Sequence, residues 1–123
     1  MRIETESGLD GHGEGRASVF SSGNNAPLVS LINDDIGPAL VGENAGDPAR
    51  LWELMYNGTR AHFALARGRP FPALGRRGLT IAAISAIDMA LWDILGRSLN
   101  ASVWQLLGGL THAKLPAYAS GGW

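Results

Sequence analysis

The chain has 123 residues, enough for one domain with its own core and too few for a domain together with a catalytic barrel. A hydrophobic share of 46% against 17% charged residues excludes a disordered chain, and a formal net charge of −1 excludes an electrostatic footprint for nucleic acid or an acidic membrane surface. With no cysteine, disulfides, thiolate metal sites and a cysteine nucleophile are excluded as well.

The first predicted element is a strand over residues 1–6. Met1, Ile3 and Thr5 share one face and Arg2, Glu4 and Glu6 the other, the period of two that a strand imposes. Ser7-Gly8-Leu9-Asp10-Gly11 supplies turn chemistry, and a second strand fits residues 12–20, giving an antiparallel hairpin. Two strands alone are marginal in water, so a further strand is expected beside them. A polar loop, 21–25, leads to a short helix through Leu28, Leu31 and Ile32, which Ile36-Gly37-Pro38 ends or kinks.

Asp47-Pro48 marks the next helix, with Asp as N-cap and Pro at the first helical position, where its missing N–H costs nothing. Leu51, Leu54, Met55, Ala61, His62 and Leu65 follow helical spacing, with Trp52, Tyr56 and Phe63 as a second stripe. Arg67-Gly68-Arg69-Pro70-Phe71-Pro72 breaks the pattern. The strongest helix spans 79–99, its stripe of Ile81, Ile84, Ile87, Leu91, Ile94 and Leu95 widened by Ala83, Ala90 and Trp92, so that burial is expected on more than one side. Ser102 is a candidate cap for a short segment, 103–107, stopped by Gly108-Gly109, and Leu115 to Tyr118 reads as a strand. Both ends read as cut. Charge or glycine interrupts the apolar stretches before about 18 residues, which predicts no membrane span. Residues 1–8 lack the apolar core of a signal peptide, so a cytoplasmic location is expected.

Three stretches, in order, resemble one family. Thr5-Glu6-Ser7-Gly8-Leu9-Asp10-Gly11-His12-Gly13-Glu14 resembles the strand–turn–strand pattern T-x-x-G-L-x-G-W-G-E of the mandelate racemase/muconate lactonizing enzymes, in the enolase superfamily. Ala82-Ala83-Ile84-Ser85-Ala86-Ile87-Asp88-Met89-Ala90-Leu91-Trp92-Asp93-Ile94 is similar to that family's A-I-x-A-I-D-x-A-L-W-D-I helix. Gln105-Leu106-Leu107-Gly108-Gly109, then Leu115-Pro116-Ala117-Tyr118-Ala119-Ser120-Gly121-Gly122, resembles its linker and first barrel strand. His12 departs from the pattern, standing where the family has an aromatic residue.

The resemblance implies an α+β capping domain, here an antiparallel hairpin left from a three-stranded meander and followed by a small helical bundle. Residues 1–110 would form this cap without its first strand. Residues 111–123 would form a linker and the start of the first strand of an otherwise absent (β/α) barrel. It also implies the family's chemistry: abstraction of a proton α to a carboxylate, with the enediolate stabilised on Mg²⁺. The family's base, a Lys-x-Lys pair or a His–Asp dyad, and its three acidic metal ligands map onto nothing here, since Lys114 is the single lysine. No catalytic or metal-binding residue is therefore assigned, and no cofactor is expected on this chain itself. Alone it is expected to be inactive.

By family position, Glu14, Phe20, Ser21 and Ser22 after the hairpin, and Ser120 and Trp123 past the first barrel strand, are the candidate substrate-proximal residues. His12 and Glu14 share a strand face and offer two metal ligands, which is fewer than a site needs; hairpin residues at a sheet face are the plainer reading. Gly11, Gly13 and Gly15 lack the third glycine of a dinucleotide loop and read as backbone turning and close strand packing. Asp88 and Asp93, five apart on an apolar helix, read as structural acids bonded to a backbone N–H or an arginine. Trp52, Trp92 and Trp104 read as core or domain-interface residues.

The expected function is that of a capping-domain fragment of an enzyme acting on a small carboxylate, most simply a sugar acid. Its expected partner is the missing barrel or a complementary chain, with homo-oligomerisation open and with neither nucleic acid nor membrane as partner. A free-standing interaction module and a non-functional remnant with the cap fold are the alternatives.

Overall fold

The computed structural model describes residues 1–17, 24–57 and 78–119. Two strands, β1 (Arg2–Glu4) and β2 (Asp10–His12), pair antiparallel in the register Arg2–His12, Ile3–Gly11 and Glu4–Asp10. The turn between them closes with a Gly8 N–H bond to the Thr5 carbonyl at 3.0 Å, and Gly8 takes φ 83°, a left-handed conformation that a Cβ disfavours. The Thr5 hydroxyl also donates to the Leu9 carbonyl at 2.8 Å. The second strand, expected over 12–20, is found at Asp10–His12, largely within the stretch read as a turn; residues 13–17 form no strand, and 18–20 lie outside the described residues. One further bond extends the ladder past it, from the Gly13 N–H to the Met1 carbonyl.

The helical layer comprises α1 (Ala26–Ser30), α2 (Pro48–Asn57), α3 (Leu79–Leu99) and α4 (Val103–Leu106). α1 does not end at Ile36-Gly37-Pro38. It widens into a π turn, Leu31–Ile36, and tightens into a 3₁₀ turn, Gly37–Ala39. Local chemistry permits this: Pro38 has no N–H to give, and Gly37 donates five residues back to Ile32. A Cβ on Gly37 would stand 2.6 Å from the Ile32 carbonyl oxygen, so the wide turn depends on glycine. Pro48 opens α2 as its position predicts, and Trp52 and Tyr56 stack at 4.8 Å. The rest of that helical pattern, Ala61, His62, Phe63 and Leu65, lies outside the described residues.

α3 spans the predicted 79–99 and is the axis of the molecule. Asn100 ends it in the left-handed conformation at φ 50°, with the Ala101 N–H returning to the Gly96 carbonyl. Its buried Ala83, Ile84, Ile87 and Leu91 meet Leu28, Ile36, Leu51 and Met55 in one core, against which Ile3, Leu40 and Trp52 also pack. Leu51, Ile84 and Ile87 are the largest fully enclosed side chains, each stabilising the fold by roughly 1.5–3 kcal/mol. Against expectation, α3, alone among helices of the described residues, is long and apolar enough to cross a membrane by length and composition. Its two-sided burial against β2 and α2 accounts for that composition.

β2 lies directly on α3, and here the alternating glycines find their use. A Cβ on Gly11 would stand 2.1 Å from the Ala90 carbonyl oxygen, and one on Gly13 would stand 1.9 Å from that of Ala86. At Gly15 it would meet the Ala86 methyl at 3.0 Å. Residues two apart on a strand and four apart on a helix advance by similar distances, about 6–7 Å, so small residues on both sides mesh over two turns. Close strand packing is the observed role. The expected strand over 115–118 is not formed: the described residues provide it no neighbour to bond with.

Candidate functional site

The opposite face of β2 is polar. His12 and Asp10 point away from the glycine seam, and the C-terminal half of α3 brings Asp93 and Arg97 beside them. The Asp93 carboxylate accepts the His12 backbone N–H at 2.9 Å and Arg97 Nε at 3.2 Å. Asp10 accepts Arg2 Nε at 2.9 Å and lies 3.5 Å from an Arg97 terminal nitrogen. The His12 ring stands between the two acids, 3.8 Å from Asp10 and 3.9 Å from Asp93.

These contacts set the charges. The Arg2 hydrogen bond, with help from His12 and Arg97, holds the Asp10 carboxyl below the usual carboxylate range. The Arg97 bond, then the His12 N–H, does the same for Asp93, and Asp93 in turn raises Arg97. Both acids are thus held ionised and engaged, so neither is poised as a general acid or base near neutrality. Asp88, one turn earlier, behaves oppositely: burial raises its carboxyl, and the Trp92 indole N–H offsets part of that rise. The reading of Asp88 and Asp93 as acids bonded to a backbone N–H or an arginine holds for Asp93, which has both, while the partner of Asp88 is the Trp92 indole; the Asp93–Arg97 spacing of four could have named the arginine.

Beside this network lies a cleft of about 600 Å³ lined by His12, Asp88, Met89, Trp92, Asp93, Val103 and Leu107. Met89, Val103 and Leu107 expose apolar surface there, and Trp104 is half exposed on the same short helix. α4 is held in place by the Ser102 N–H, which donates to the Gln105 side-chain oxygen at 2.8 Å. Such a floor of apolar side chains with an ion-pair rim suits contact with another protein surface better than it suits chemistry.

Of the sequence-predicted substrate-proximal residues, Glu14 is exposed just past β2, one strand step from His12. Phe20, Ser21, Ser22, Ser120 and Trp123 lie outside the described residues. Glu14 does not join His12 in a metal site: among the described residues no group of three or more His, Asp or Glu side chains could hold a metal ion. The imidazole faces Asp10 and Asp93 instead, acids already engaged by arginine. Asp10 and its two arginines were missed in the sequence: the Arg2 contact follows from the hairpin register, and the Arg97 contact from how the hairpin lies across α3.

Comparison with known proteins gives a consistent result. The model of the mandelate racemase / muconate lactonizing enzyme N-terminal domain matches residues 1–108. The chain is 41% identical over 126 aligned residues to a D-galactonate dehydratase of Klebsiella pneumoniae (strain 342), covering 97% of this chain and 26% of that protein. It therefore spans about a quarter of the length of the curated relatives it matches. Among solved structures, it superposes with a TM-score of 0.71 and 34% identity on an enolase-superfamily member from Polaromonas sp. JS666, covering 98% of this chain and 28% of that one. An enolase from Agrobacterium radiobacter, solved with Na and L-malate bound, matches with a TM-score of 0.67 and 26% identity over 90% of this chain and 24% of its own.

Proposed function

Because the chain belongs to the mandelate racemase / muconate lactonizing enzyme family, as its N-terminal domain, we propose that it is the capping part of a sugar-acid dehydratase. The observation that carries this reading is the match to D-galactonate dehydratases along 97% of the chain. The cap would close over a barrel that lies elsewhere in the polypeptide or on a complementary chain, and the cleft floored by Met89, Val103 and Leu107 is the face offered to it.

In this reading the reaction opens with removal of a proton α to the substrate carboxylate, and a Mg²⁺ ion, where bound, would supply Lewis-acid charge. The residues described here do not fit that ion. Asp10 and Asp93 are bonded to Arg2 and Arg97, and no third ligand converges with them. Ion and base then belong to the barrel, and this chain contributes enclosure. Glu14, with Phe20, Ser21, Ser22, Ser120 and Trp123, is proposed to line the substrate side, where side chains shut out water and select among sugar acids.

A graft tests the proposal. Residues 1–108 replace the matching residues of the Klebsiella D-galactonate dehydratase, and dehydration of D-galactonate is followed alongside Mg²⁺ binding. Turnover by the graft, with none by the isolated chain, is the expected result. A folded, Mg²⁺-loaded graft without turnover, or turnover by the isolated chain, overturns it.

A further inference from the structure

Asn25 stands at the N-cap of α1, where an asparagine side chain ordinarily accepts an N–H of the first helical turn, yet it makes no such bond. Two features of the sequence free it. Pro27, at the second helical position, has no N–H to offer, and Asn24 takes the Ala26 N–H on its own side-chain oxygen at 3.1 Å. The Asn25 carbonyl still opens the helix by accepting the Val29 N–H at 3.0 Å. Its side-chain oxygen reaches elsewhere and accepts the Ala17 N–H at 3.2 Å.

That bond joins the two ends of one stretch of chain. Residues 18–24 leave from Ala17 and return at Asn25, with Phe20, Ser21 and Ser22 among them. Both ends are seated on the same core. Just before the departure, a Cβ on Gly15 would stand 3.0 Å from the Ala86 methyl and 3.1 Å from a Leu28 methyl, so the chain lies close on both α3 and α1. Ala17 packs against the core, and Leu28, three residues past Asn25, is buried in it. A stretch whose ends are fixed and bonded to each other has less freedom left to lose when its side chains close on a ligand.

We propose that Asn25 is a positioning residue for the substrate: its side chain clasps the neck of residues 18–24 and thereby holds in place the side chains that line the substrate side. This rests on the reading of Phe20, Ser21 and Ser22 as substrate-lining residues. With base and ion on the barrel, the clasp acts on binding and leaves the chemical step alone.

Two variants separate the clasp from a merely structural role. Asn25→Ala removes the acceptor without removing a helix cap, since the side chain makes none. Asn25→Asp keeps an oxygen for the Ala17 N–H. In the grafted dehydratase, Asn25→Ala should raise KM for D-galactonate about fivefold, the worth of one ordinary hydrogen bond, with kcat unchanged, and Asn25→Asp should restore it. The whole 123-residue chain gives a second readout that needs no turnover: cleavage after Phe20 by chymotrypsin, followed by mass spectrometry. Asn25→Ala should hasten that cleavage about fivefold, and Asn25→Asp should match the parent. An unchanged KM in an active graft, a fall in kcat alone, or an Asn25→Asp variant no better than Asn25→Ala overturns the proposal. So does cleavage after Phe20 that is indifferent to both substitutions. A graft without turnover in any variant removes the functional reading instead, and the cleavage rates then decide the clasp by themselves.

Discussion

The two faces of β2 hold the same helix by different means. Gly11, and Gly13 just past the strand, press backbone against backbone on Ala90 and Ala86 of α3 with no room for a methyl group, and Gly15 continues that face against the Ala86 methyl more loosely. On the other face, Asp10 and His12 reach Asp93 and Arg97 through hydrogen bonds and partly exposed ion pairs. Shape complementarity fails over a fraction of an ångström, whereas solvated charges relax by moving side chains or admitting water. The glycine face therefore fixes where the hairpin sits, and the charged face adjusts to it.

The largest effect that could break this comparison is expected at Gly13. Gly13→Ala puts a methyl 1.9 Å from the Ala86 carbonyl, and because that neighbour is backbone the strand must move. A loss of about 3 kcal/mol in urea unfolding is expected, at the upper end for overpacking. A variant within 0.5 kcal/mol of the parent (about the scatter of surface substitutions) would show the seam to be loose. Gly8 is the control, with open space around it and φ 83°. Gly8→Ala should cost about 1–2 kcal/mol by backbone strain alone.

On the charged face Asp93→Asn keeps the shape and weakens the acceptor for the His12 N–H and Arg97. About 1 kcal/mol is expected at neutral pH, measured in the same unfolding series. The pH dependence follows from the signs. Asp10 and Asp93 have folded values below their unfolded ones, so their contribution is present above about pH 4 and is lost as pH falls through the lowered values. Asp88 is raised in the fold, so its contribution is present below about pH 4 and is lost as pH rises through its folded value. The smallest change is expected for Asp88→Asn. It should remove that opposing slope and leave stability at neutral pH equal or slightly higher; a clear destabilisation there would mean the ionised carboxylate has a partner it needs.

Much of the fold could be read from local pattern. Period-two alternation gave the hairpin, the apolar stripe gave α3 at 79–99, and Asp47-Pro48 gave the start of α2, because each depends on a residue and its near neighbours. The π turn at Leu31–Ile36 was not legible, since a helix that meets Gly-Pro can end, kink or widen, and packing on α3 selects among these. Of the candidate site, the structural roles of the glycines and of Asp93 were legible, and the enclosure of one by Ala86 and the partners of the other were not. The strand expected over 115–118 failed because a strand is a property of a pair.

The sequence by itself determined the family and the order of elements, which reside in residue identity and spacing. The tertiary structure alone decided which face of the hairpin meets α3. By so doing it turned the glycines into a packing seam, brought Asp10 to Arg97 and brought the His12 N–H to Asp93. Those outcomes rest on contacts between residues about eighty positions apart, and no periodicity in a chain encodes them.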